Sequence, residues 1–188
     1  ISTHGGYFHT RRDRWLKELT LRTVTRHTLG RADAVWYTSE SDKSVLSAAG
    51  IPGTVLHNGV DVNRFADVWR DPEPGRWLVF GRVDVHKGLD RLIDLLTVLG
   101  RGVVEVVGPE TVPGLVASLQ RRALAAGVGQ RIRFHGQVGE PRLRELIAGC
   151  ELALFPSRYE GFGLTTVELM AAGMPVVASR IDAFSNLI

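Results

Sequence analysis

The stretch from Tyr159 to Glu168 reads Tyr-Glu-Gly-Phe-Gly-Leu-Thr-Thr-Val-Glu, and it follows a short apolar run from Leu152 to Pro156. The apolar run is typical of a buried strand, and the residues from Leu164 to Ala172 predict a helix. Gly161 and Gly163 favour a tight turn between the two. A strand that turns directly into a helix indicates an α/β fold, in which the first backbone N–H groups of the helix can bind an anion.

Two carboxylates flank this turn. Glu160 precedes the predicted helix, and Glu168 lies about one turn inside it. Carboxylates accept hydrogen bonds from sugar hydroxyls, whereas helix amides suit a phosphate. A ligand that combines a sugar with a phosphate is a nucleotide sugar. The turn by itself is equally consistent with glycines that serve tight packing and with a carboxylate placed to favour the helix dipole.

The composition limits the class of protein. The chain has 188 residues, 44% of them hydrophobic, which fits an ordinary globular core. Its one cysteine, Cys150, predicts a buried thiol and fits a reducing compartment. No apolar run is long enough to span a bilayer, and no signal peptide is recognised. Because the chain begins without Met and stops inside an expected helix, we expect a piece of a longer cytoplasmic protein.

Positive charge is concentrated in the segment Arg11–Arg31, where seven basic residues face only two acidic ones within the first 31 residues. Trp15, Leu16, Leu19 and Val24 supply apolar side chains. A basic amphipathic helix can lie on the inner face of an anionic membrane or approach a phosphorylated acceptor. A surface helix packed on its own domain is an equally good interpretation. Nucleic acid is not an expected partner, because no aromatic residues alternate with the basic ones.

From Arg76 onward, predicted strands and helices alternate, which indicates a parallel sheet with helices on both faces. We predict residues 1–58 as the end of a first domain, 59–75 as a linker and 76–188 as a second domain. The predicted strands of the second domain are Trp77–Gly81, Val103–Val107, Ile132–His135, Leu152–Phe155 and Pro175–Ala178. The predicted helices are Gly88–Leu99, Val112–Ala126, Pro141–Ala148 and Leu164–Ala172.

Two further segments lie at strand ends, where ligands of such sheets bind. The first strand is followed by Gly81-Arg82-Val83-Asp84-Val85-His86-Lys87-Gly88. Arg82 and Lys87 are cations that could neutralise a diphosphate, one as a planar fork and the other as a point charge. The third strand ends in the segment 133–138, whose backbone could read a nucleobase. A structural role suits the side chain of His135 better than catalysis.

Together these segments resemble the retaining GT-B glycosyltransferases often called family 4. The fold implied is two Rossmann-like domains that close over a nucleotide sugar without a metal or other cofactor. This chain would hold the end of the first domain and most of the second. The matching motifs are His4-Gly5-Gly6, Asn58-Gly59-Val60-Asp61, Gly81-Arg82 with Lys87-Gly88, Phe134-His135-Gly136, and Glu160 with Glu168.

The resemblance implies a role for each matching residue. Arg82 and Lys87 would bind the donor diphosphate, Glu160 the donor hexose and Glu168 the ribose. His4 would approach the reaction centre from the opposite domain, so we place it with Arg82, Lys87 and Glu160 as catalytic. The remaining residues expected to bind substrate are Gly5, Gly6, Gly81, His135, Gly136, Val138, Gly161, Phe162, Gly163 and Leu164.

The opening His4-Gly5-Gly6-Tyr7-Phe8-His9-Thr10 resembles bacterial exopolysaccharide mannosyltransferases that extend a polyprenyl-diphosphate-linked glycan. It therefore favours GDP-mannose as donor and a glycan or lipid-linked acceptor. Three alternatives remain open. The chain could belong to an epimerase or a sugar-phosphate synthase of the same fold, or to a module that binds nucleotide sugars without catalysis.

Overall fold

The computed structural model describes residues 2–3, 14–185 and 187–188. Its strands are β1 (Ser2–Thr3), β2 (Trp36–Tyr37), β3 (Thr54–Val55), β4 (Glu73–Phe80), β5 (Val103–Val107), β6 (Ile132–Gly136), β7 (Cys150–Phe155) and β8 (Val176–Ala178). Its α-helices are α1 (Arg14–Thr20), α2 (Arg26–Leu29), α3 (Glu40–Ala48), α4 (Asp90–Leu99), α5 (Leu115–Ala125), α6 (Glu140–Gly149), α7 (Leu164–Ala171) and α8 (Asp182–Ser185). A π-helical segment, Leu21–Thr25, joins α1 to α2.

The chain divides into two compact units. The first comprises Ile1–Gly59 together with Tyr159–Gly163 and Asp182–Ile188, and the second comprises Val60–Arg158 together with Leu164–Ile181. The Tyr159–Glu168 turn is therefore split between the two units, because its glycines belong to the first unit and its helix to the second.

The first unit is built on a parallel sheet of order β1-β2-β3. Tyr37 and Ile51 are almost fully buried in its core, where the Tyr37 hydroxyl donates a hydrogen bond to the Ile51 carbonyl. Ser39 begins α3 as its N-cap and accepts a hydrogen bond from the Asp42 backbone N–H at 3.1 Å.

The second unit is a five-stranded parallel sheet of order β6-β5-β4-β7-β8. The chain runs outward from β4 through β5 to β6, then returns to β7 on the other side of β4. Since βαβ connections are right-handed, this reversal places α4 and α5 on one face and α6 and α7 on the other. The predicted parallel sheet with helices on both faces is confirmed.

Glycines with positive φ lie at three of the places where the elements differ from the predicted ones. Helix α4 begins at Asp90 rather than Gly88, because Gly88 has φ +65° and cannot continue a right-handed helix. Helix α5 begins at Leu115 because Gly114 has φ +80°. Strand β4 begins earlier than expected, at Glu73, and is irregular where Gly75, with φ +78°, donates to the Glu151 carboxylate at 2.7 Å.

The segment predicted as a linker packs on the second unit. Phe65 is 1% exposed, and the Trp69 indole N–H donates to the Cys150 carbonyl at 2.9 Å. Cys150 is the first residue of β7 and is fully buried, which confirms a buried thiol. Within the part of the chain that the structure describes, no helix is long and apolar enough to cross a membrane.

Candidate functional site

The reversal of strand order between β4 and β7 defines a crevice in the second unit. In open parallel sheets, ligands bind outside the carboxyl ends of the strands at such a point. Here the two flanking segments are the loop from Gly81 to Lys87, which follows β4, and the residues from Pro156 to Arg158, which follow β7. Arg82 and Lys87, predicted from sequence to bind a diphosphate, both lie on the first of these loops.

Two glycines let the backbones at the crevice approach closely. A Cβ on Gly108 would lie 2.0 Å from the Gly81 carbonyl oxygen, and one on Gly88 would lie 2.3 Å from the Pro156 carbonyl oxygen. Both distances are far below van der Waals contact. The ends of β4 and β5, and the loops after β4 and β7, can therefore meet only because these positions carry no side chain.

Lys87 and the start of α7 converge on Gly81. A Cβ built on Gly81 would lie 3.6 Å from the Lys87 amine and 3.8 Å from the Thr165 hydroxyl oxygen. Lys87 is half-buried, whereas Arg82 is exposed. The structure thus brings a cation and the first turn of α7, a helix whose leading amides suit an anion, to the end of β4. The sequence analysis did not predict Thr165 as a site residue. Its position in the first turn of the helix that follows the glycines could have indicated it.

Arg158 and Asp90 tie the two loops together. The Arg158 guanidinium meets both Asp90 carboxylate oxygens at 2.6 Å, and the Arg158 backbone N–H donates to the His86 carbonyl at 2.7 Å. The hydrogen bond from Arg158 lowers the pKa of Asp90, an effect only partly opposed by burial. Sequence reasoning missed this pair, although Arg158 stands directly before the Tyr159–Glu168 stretch.

The loop after β4 is also tied to the loop after β5. The Asp84 carboxylate accepts hydrogen bonds from the His86 backbone N–H at 3.0 Å and from the Thr111 hydroxyl at 2.8 Å. Burial alone would raise the pKa of Asp84, but these hydrogen bonds hold it below its ordinary value. The Lys87 loop is consequently held from two sides.

The segment predicted to read a nucleobase follows β6. Its His135 ring lies 2.7 Å from the carboxylate of Glu105, a fully buried residue of β5. The Gly136 carbonyl accepts a hydrogen bond from the Gly108 backbone N–H at 2.8 Å, so it is already engaged within the sheet. Val138 lies just beyond, half-buried, in the turn that leads to α6.

Glu168 lies on α7, as expected, and is engaged by a residue that the sequence did not indicate. Arg64, from the segment predicted as a linker, donates to Glu168 Oε1 at 2.9 Å through Nη1 and to Glu140 Oε2 at 2.9 Å through Nη2. No local sequence signal predicts this contact, since Arg64 and Glu168 are 104 residues apart.

The rest of the Tyr159–Glu168 turn belongs to the first unit. There the Phe162 and His57 rings lie 5.8 Å apart, and Gly161 and Phe162 line a pocket with Ser39 and Asp182. Burial raises the pKa of Tyr159 to about 12, with a smaller effect from the Asp42 carboxylate. Glu160 is half-buried in this unit.

The structure therefore gathers part of the predicted site. Gly81, Lys87, Leu164 and Glu168 lie in the second unit with Arg82, whereas Glu160, Gly161, Phe162 and Gly163 lie in the first. His4, Gly5 and Gly6 are outside the described residues. Among the described residues, no three His, Cys, Asp or Glu side chains are grouped so that they could hold a metal ion.

Comparison with known protein families shows which family the chain belongs to. The family model described as "Glycosyl transferases group 1" matches residues 64–188. The chain belongs to this family. As a group 1 chain, it has the GT-B architecture expected from its motifs, with a Rossmann-like C-terminal domain in the second unit.

Curated relatives of this group 1 chain include mannosyltransferases. It is 33% identical over 195 residues to the GDP-mannose:cellobiosyl-diphosphopolyprenol alpha-mannosyltransferase of Xanthomonas oryzae pv. oryzae, a match that covers 100% of this chain and 50% of the relative. It is 34% identical over 192 residues to the lipopolysaccharide core biosynthesis mannosyltransferase LpsB of Rhizobium meliloti, covering 90% of this chain and 53% of that protein. The chain thus spans about half the length of the relatives it matches.

Among solved structures, the group 1 chain is similar to Anabaena Alr3699/HepE in complex with UDP and glucose. The TM-score is 0.78 at 25% sequence identity, and the match covers 91% of this chain and 51% of the other.

Proposed function

We propose that this group 1 chain is part of a retaining glycosyltransferase that moves a hexose from a nucleotide sugar to a glycan or polyprenyl-diphosphate-linked acceptor. GDP-mannose is the favoured donor, and mannose is the hexose transferred. One observation carries the proposal: the crevice between β4 and β7 collects Gly81, Lys87 and the start of α7, the helix that bears Glu168. The names of the relatives, GDP-mannose:cellobiosyl-diphosphopolyprenol alpha-mannosyltransferase and LpsB, support the choice of donor and acceptor.

The main contribution of the crevice to catalysis is to stabilise the departing diphosphate. Transfer breaks the bond between the anomeric carbon and a phosphate oxygen, so negative charge develops on the departing diphosphate. Arg82, Lys87 and the leading amides of α7 stabilise that charge. Glu160 accepts hydrogen bonds from the hexose and Glu168 from the ribose. The leaving phosphate helps to deprotonate the acceptor hydroxyl on the same face, which retains the anomeric configuration without a metal.

Calorimetric titration of the full-length protein with GDP-mannose and UDP-glucose tests the donor. We expect GDP-mannose to bind and, with a polyprenyl-diphosphate-linked glycan, to yield an α-linked mannoside. Binding of UDP-glucose alone would overturn the mannose assignment and favour a donor like that of the Anabaena protein solved with UDP and glucose. An inverted anomer in the product would overturn retention.

Incubation of the donor with and without acceptors, followed by analysis of the products, separates the other classes of protein. An epimerase would change the donor sugar in the absence of any acceptor, and a sugar-phosphate synthase would require a phosphorylated monosaccharide as acceptor. A binding module would retain the donor without turnover across all acceptors. Each of these three results would contradict the proposed transfer to a glycan or lipid-linked acceptor.

We further propose that the basic segment attaches the protein to the inner face of the cytoplasmic membrane. Apolar side chains that could have packed on the first unit are exposed in the structure, with Trp15 71% and Val24 63% accessible. Arg22, Arg26 and Arg31 are exposed beside them. An apolar surface with adjacent cations is the pattern of helices that lie in an anionic interface.

Sedimentation with lipid vesicles tests this attachment. We expect the full-length protein to bind vesicles of phosphatidylcholine and phosphatidylglycerol, and Trp15→Ser with Arg26→Glu to reduce binding. Arg142→Glu, which changes an exposed arginine on α6, serves as the matched control. Equal binding to pure phosphatidylcholine, or no effect of the double substitution, would exclude the basic segment as the contact.

A further inference from the structure

Arg64 is held in place before any ligand binds. The Asp61 carboxylate accepts a hydrogen bond from the Asn63 backbone N–H at 2.9 Å, and the Arg64 carbonyl accepts one from the Arg144 guanidinium. The neighbouring Phe65 is buried and anchors the segment. Its ring also supports the guanidinium, whose central carbon lies 4.6 Å from the ring centroid. The position of the Arg64 side chain is therefore set by the segment that carries it.

The two terminal nitrogens of the Arg64 guanidinium donate hydrogen bonds to two different helices. Nη1 meets Glu168 of α7, whose side chain is 18% exposed, and Nη2 meets Glu140 at the start of α6, which is 44% exposed. A planar guanidinium fixes the direction of each hydrogen bond. The bond to Glu140 therefore holds the guanidinium in place, and the bond to Glu168 orients the Glu168 carboxylate. Arg64 contacts only one oxygen of Glu168. Among the described residues, Oε2 of Glu168 makes no recorded hydrogen bond and can accept one from a ligand hydroxyl.

We propose that Arg64 is a positioning residue for donor recognition: it fixes the Glu168 carboxylate so that Oε2 faces the ribose of the nucleotide. This inference rests on the proposed function of Glu168. Without Arg64, the Glu168 side chain would regain rotamer freedom that must be lost again when the ribose binds.

The contribution of Arg64 to stability is separable from this role. Its side chain is 37% exposed, and ion pairs of that exposure contribute little to folding. The hydrogen bond from Arg144 goes to the Arg64 backbone carbonyl, so it survives a change of side chain. A substitution at Arg64 should therefore affect nucleotide binding far more than the melting temperature.

The test uses full-length protein and titrates GDP, or UDP if the donor titration selects it. Arg64→Met, which removes every donor but keeps the stem, should weaken binding about tenfold while kcat changes less than about threefold. Arg64→Lys, which retains the positive charge and the N–H donors of a single nitrogen, should recover part of the affinity. The matched control is Arg142→Met on α6, because Arg142 also pairs with a glutamate, Glu145 at 2.7 Å, but is more exposed. Its affinity should equal that of the wild type.

Two comparisons show whether Arg64 acts through Glu168 and the ribose. The double variant Arg64→Met with Glu168→Gln should bind no more weakly than Glu168→Gln alone. The 2′,3′-dideoxynucleotide, which lacks the hydroxyls, should bind wild type and Arg64→Met alike. Additive losses in the double variant, or an equal loss for the dideoxynucleotide, would show a general structural role and overturn the proposal.

The remaining outcomes distinguish the positioning role of Arg64 from the proposed role of Glu168 in binding the ribose. If Glu168→Gln weakens binding and Arg64→Met does not, only the positioning role of Arg64 falls. If Glu168→Gln has no effect, the ribose contact assigned to Glu168 falls and the proposal falls with it. Tighter binding by Arg64→Met would show that Arg64 competes with the ligand for Glu168, which also overturns it.

Discussion

Arg158 and Asp90 form a two-point ion pair, with both nitrogen–oxygen distances at 2.6 Å, that joins the residues after β7 to the start of α4. The two residues are 68 positions apart in the chain. Arg158 also donates a hydrogen bond from its backbone N–H to the carbonyl of His86, in the loop that carries Lys87. The geometry of the ion pair is the parallel fork that arginine forms best with a carboxylate.

Replacing Arg158 with alanine should therefore loosen the Lys87 loop. Both side chains are partly exposed, so we expect a loss of only about 1 kcal/mol in the free energy of unfolding. That corresponds to a fall of about 2–4 °C in melting temperature for a chain of this size. Arg142→Ala, which removes a far more exposed pair, is the control and should leave the melting temperature nearly unchanged.

The same pair predicts a dependence of stability on pH. Because Arg158 lowers the pKa of Asp90 in the folded state, the pair stabilises the protein fully above the pKa of an unfolded aspartate, about 4. The stabilisation is lost as the pH falls through the lower, folded value. Urea unfolding of wild type and Asp90→Asn should differ at pH 6, and the difference should shrink as the pH falls below the pKa of the unfolded aspartate. A constant difference at every pH would contradict this origin.

Gly88 and Gly100 form a matched pair for testing the close approach at the crevice. Both are left-handed, with φ +65° and +62°, but a Cβ on Gly88 would meet the Pro156 carbonyl at 2.3 Å, whereas one on Gly100 would meet nothing within 4 Å. Gly100→Ala should cost about 1–2 kcal/mol for the backbone conformation alone. Gly88→Ala should cost about 1–3 kcal/mol more. Chemical unfolding measures both, and equal losses would show that the clash is relieved.

The Glu105 carboxylate, on β5, contacts basic side chains of the two neighbouring strands, β4 and β6. Its buried carboxylate meets Arg76 at 2.9 Å, Arg133 at 3.1 Å and His135 at 2.7 Å. Burial would raise the pKa of Glu105, but the hydrogen bonds from His135 and Arg76 hold it below its ordinary value.

Glu105→Ala should destabilise the second unit by about 3–5 kcal/mol, because it leaves the partly buried guanidinium of Arg76 without its counter-charge. Glu145→Ala, which removes an exposed carboxylate, is the control. Urea unfolding compares the two, and a loss at Glu105 no greater than that at Glu145 would mean that water replaces the carboxylate.

The thiol of Cys150 should be unreactive in the folded protein. It is fully buried, and burial raises its pKa to about 12, so almost no thiolate forms at neutral pH. Iodoacetamide at pH 8 should modify Cys150 only after denaturant is added, as mass spectrometry can measure. Rapid modification of the native protein would show that the start of β7 opens readily.

The predicted diphosphate and ribose contacts differ in their kinetic signatures. Arg82→Ala and Lys87→Ala should lower kcat roughly a hundred- to thousandfold, because each removes charge stabilisation from the transition state. Glu168→Ala should mainly weaken nucleotide binding. Steady-state kinetics of the full-length protein separates the two effects. Unchanged turnover in both cation variants would remove Arg82 and Lys87 from the catalytic site.

Local chemistry made much of this protein predictable. The alternation of apolar runs and amphipathic segments predicted every β-strand and α-helix of the second unit, with boundary errors of a few residues, some of them at glycines such as Gly88 and Gly114. It did not predict the two 3-10 helices, Val85–Lys87 and Gly129–Arg131. The segment Gly81–Gly88, rich in glycine and charge, indicated a loop at the end of β4, because the residues that favour a turn are adjacent in the sequence.

Only the tertiary structure decided which distant residues meet. The order β6-β5-β4-β7-β8 follows from the handedness of each crossover and the packing of helices on both faces, and it places the crevice between strands separated by 69 residues at Phe80 and Cys150. Arg64 contacts Glu168, which is 104 positions away in the chain, and Arg158 contacts Asp90, which is 68 positions away. Such contacts leave no local periodic pattern, because a charged side chain in a loop has the same sequence signature whether it points to water or to a partner.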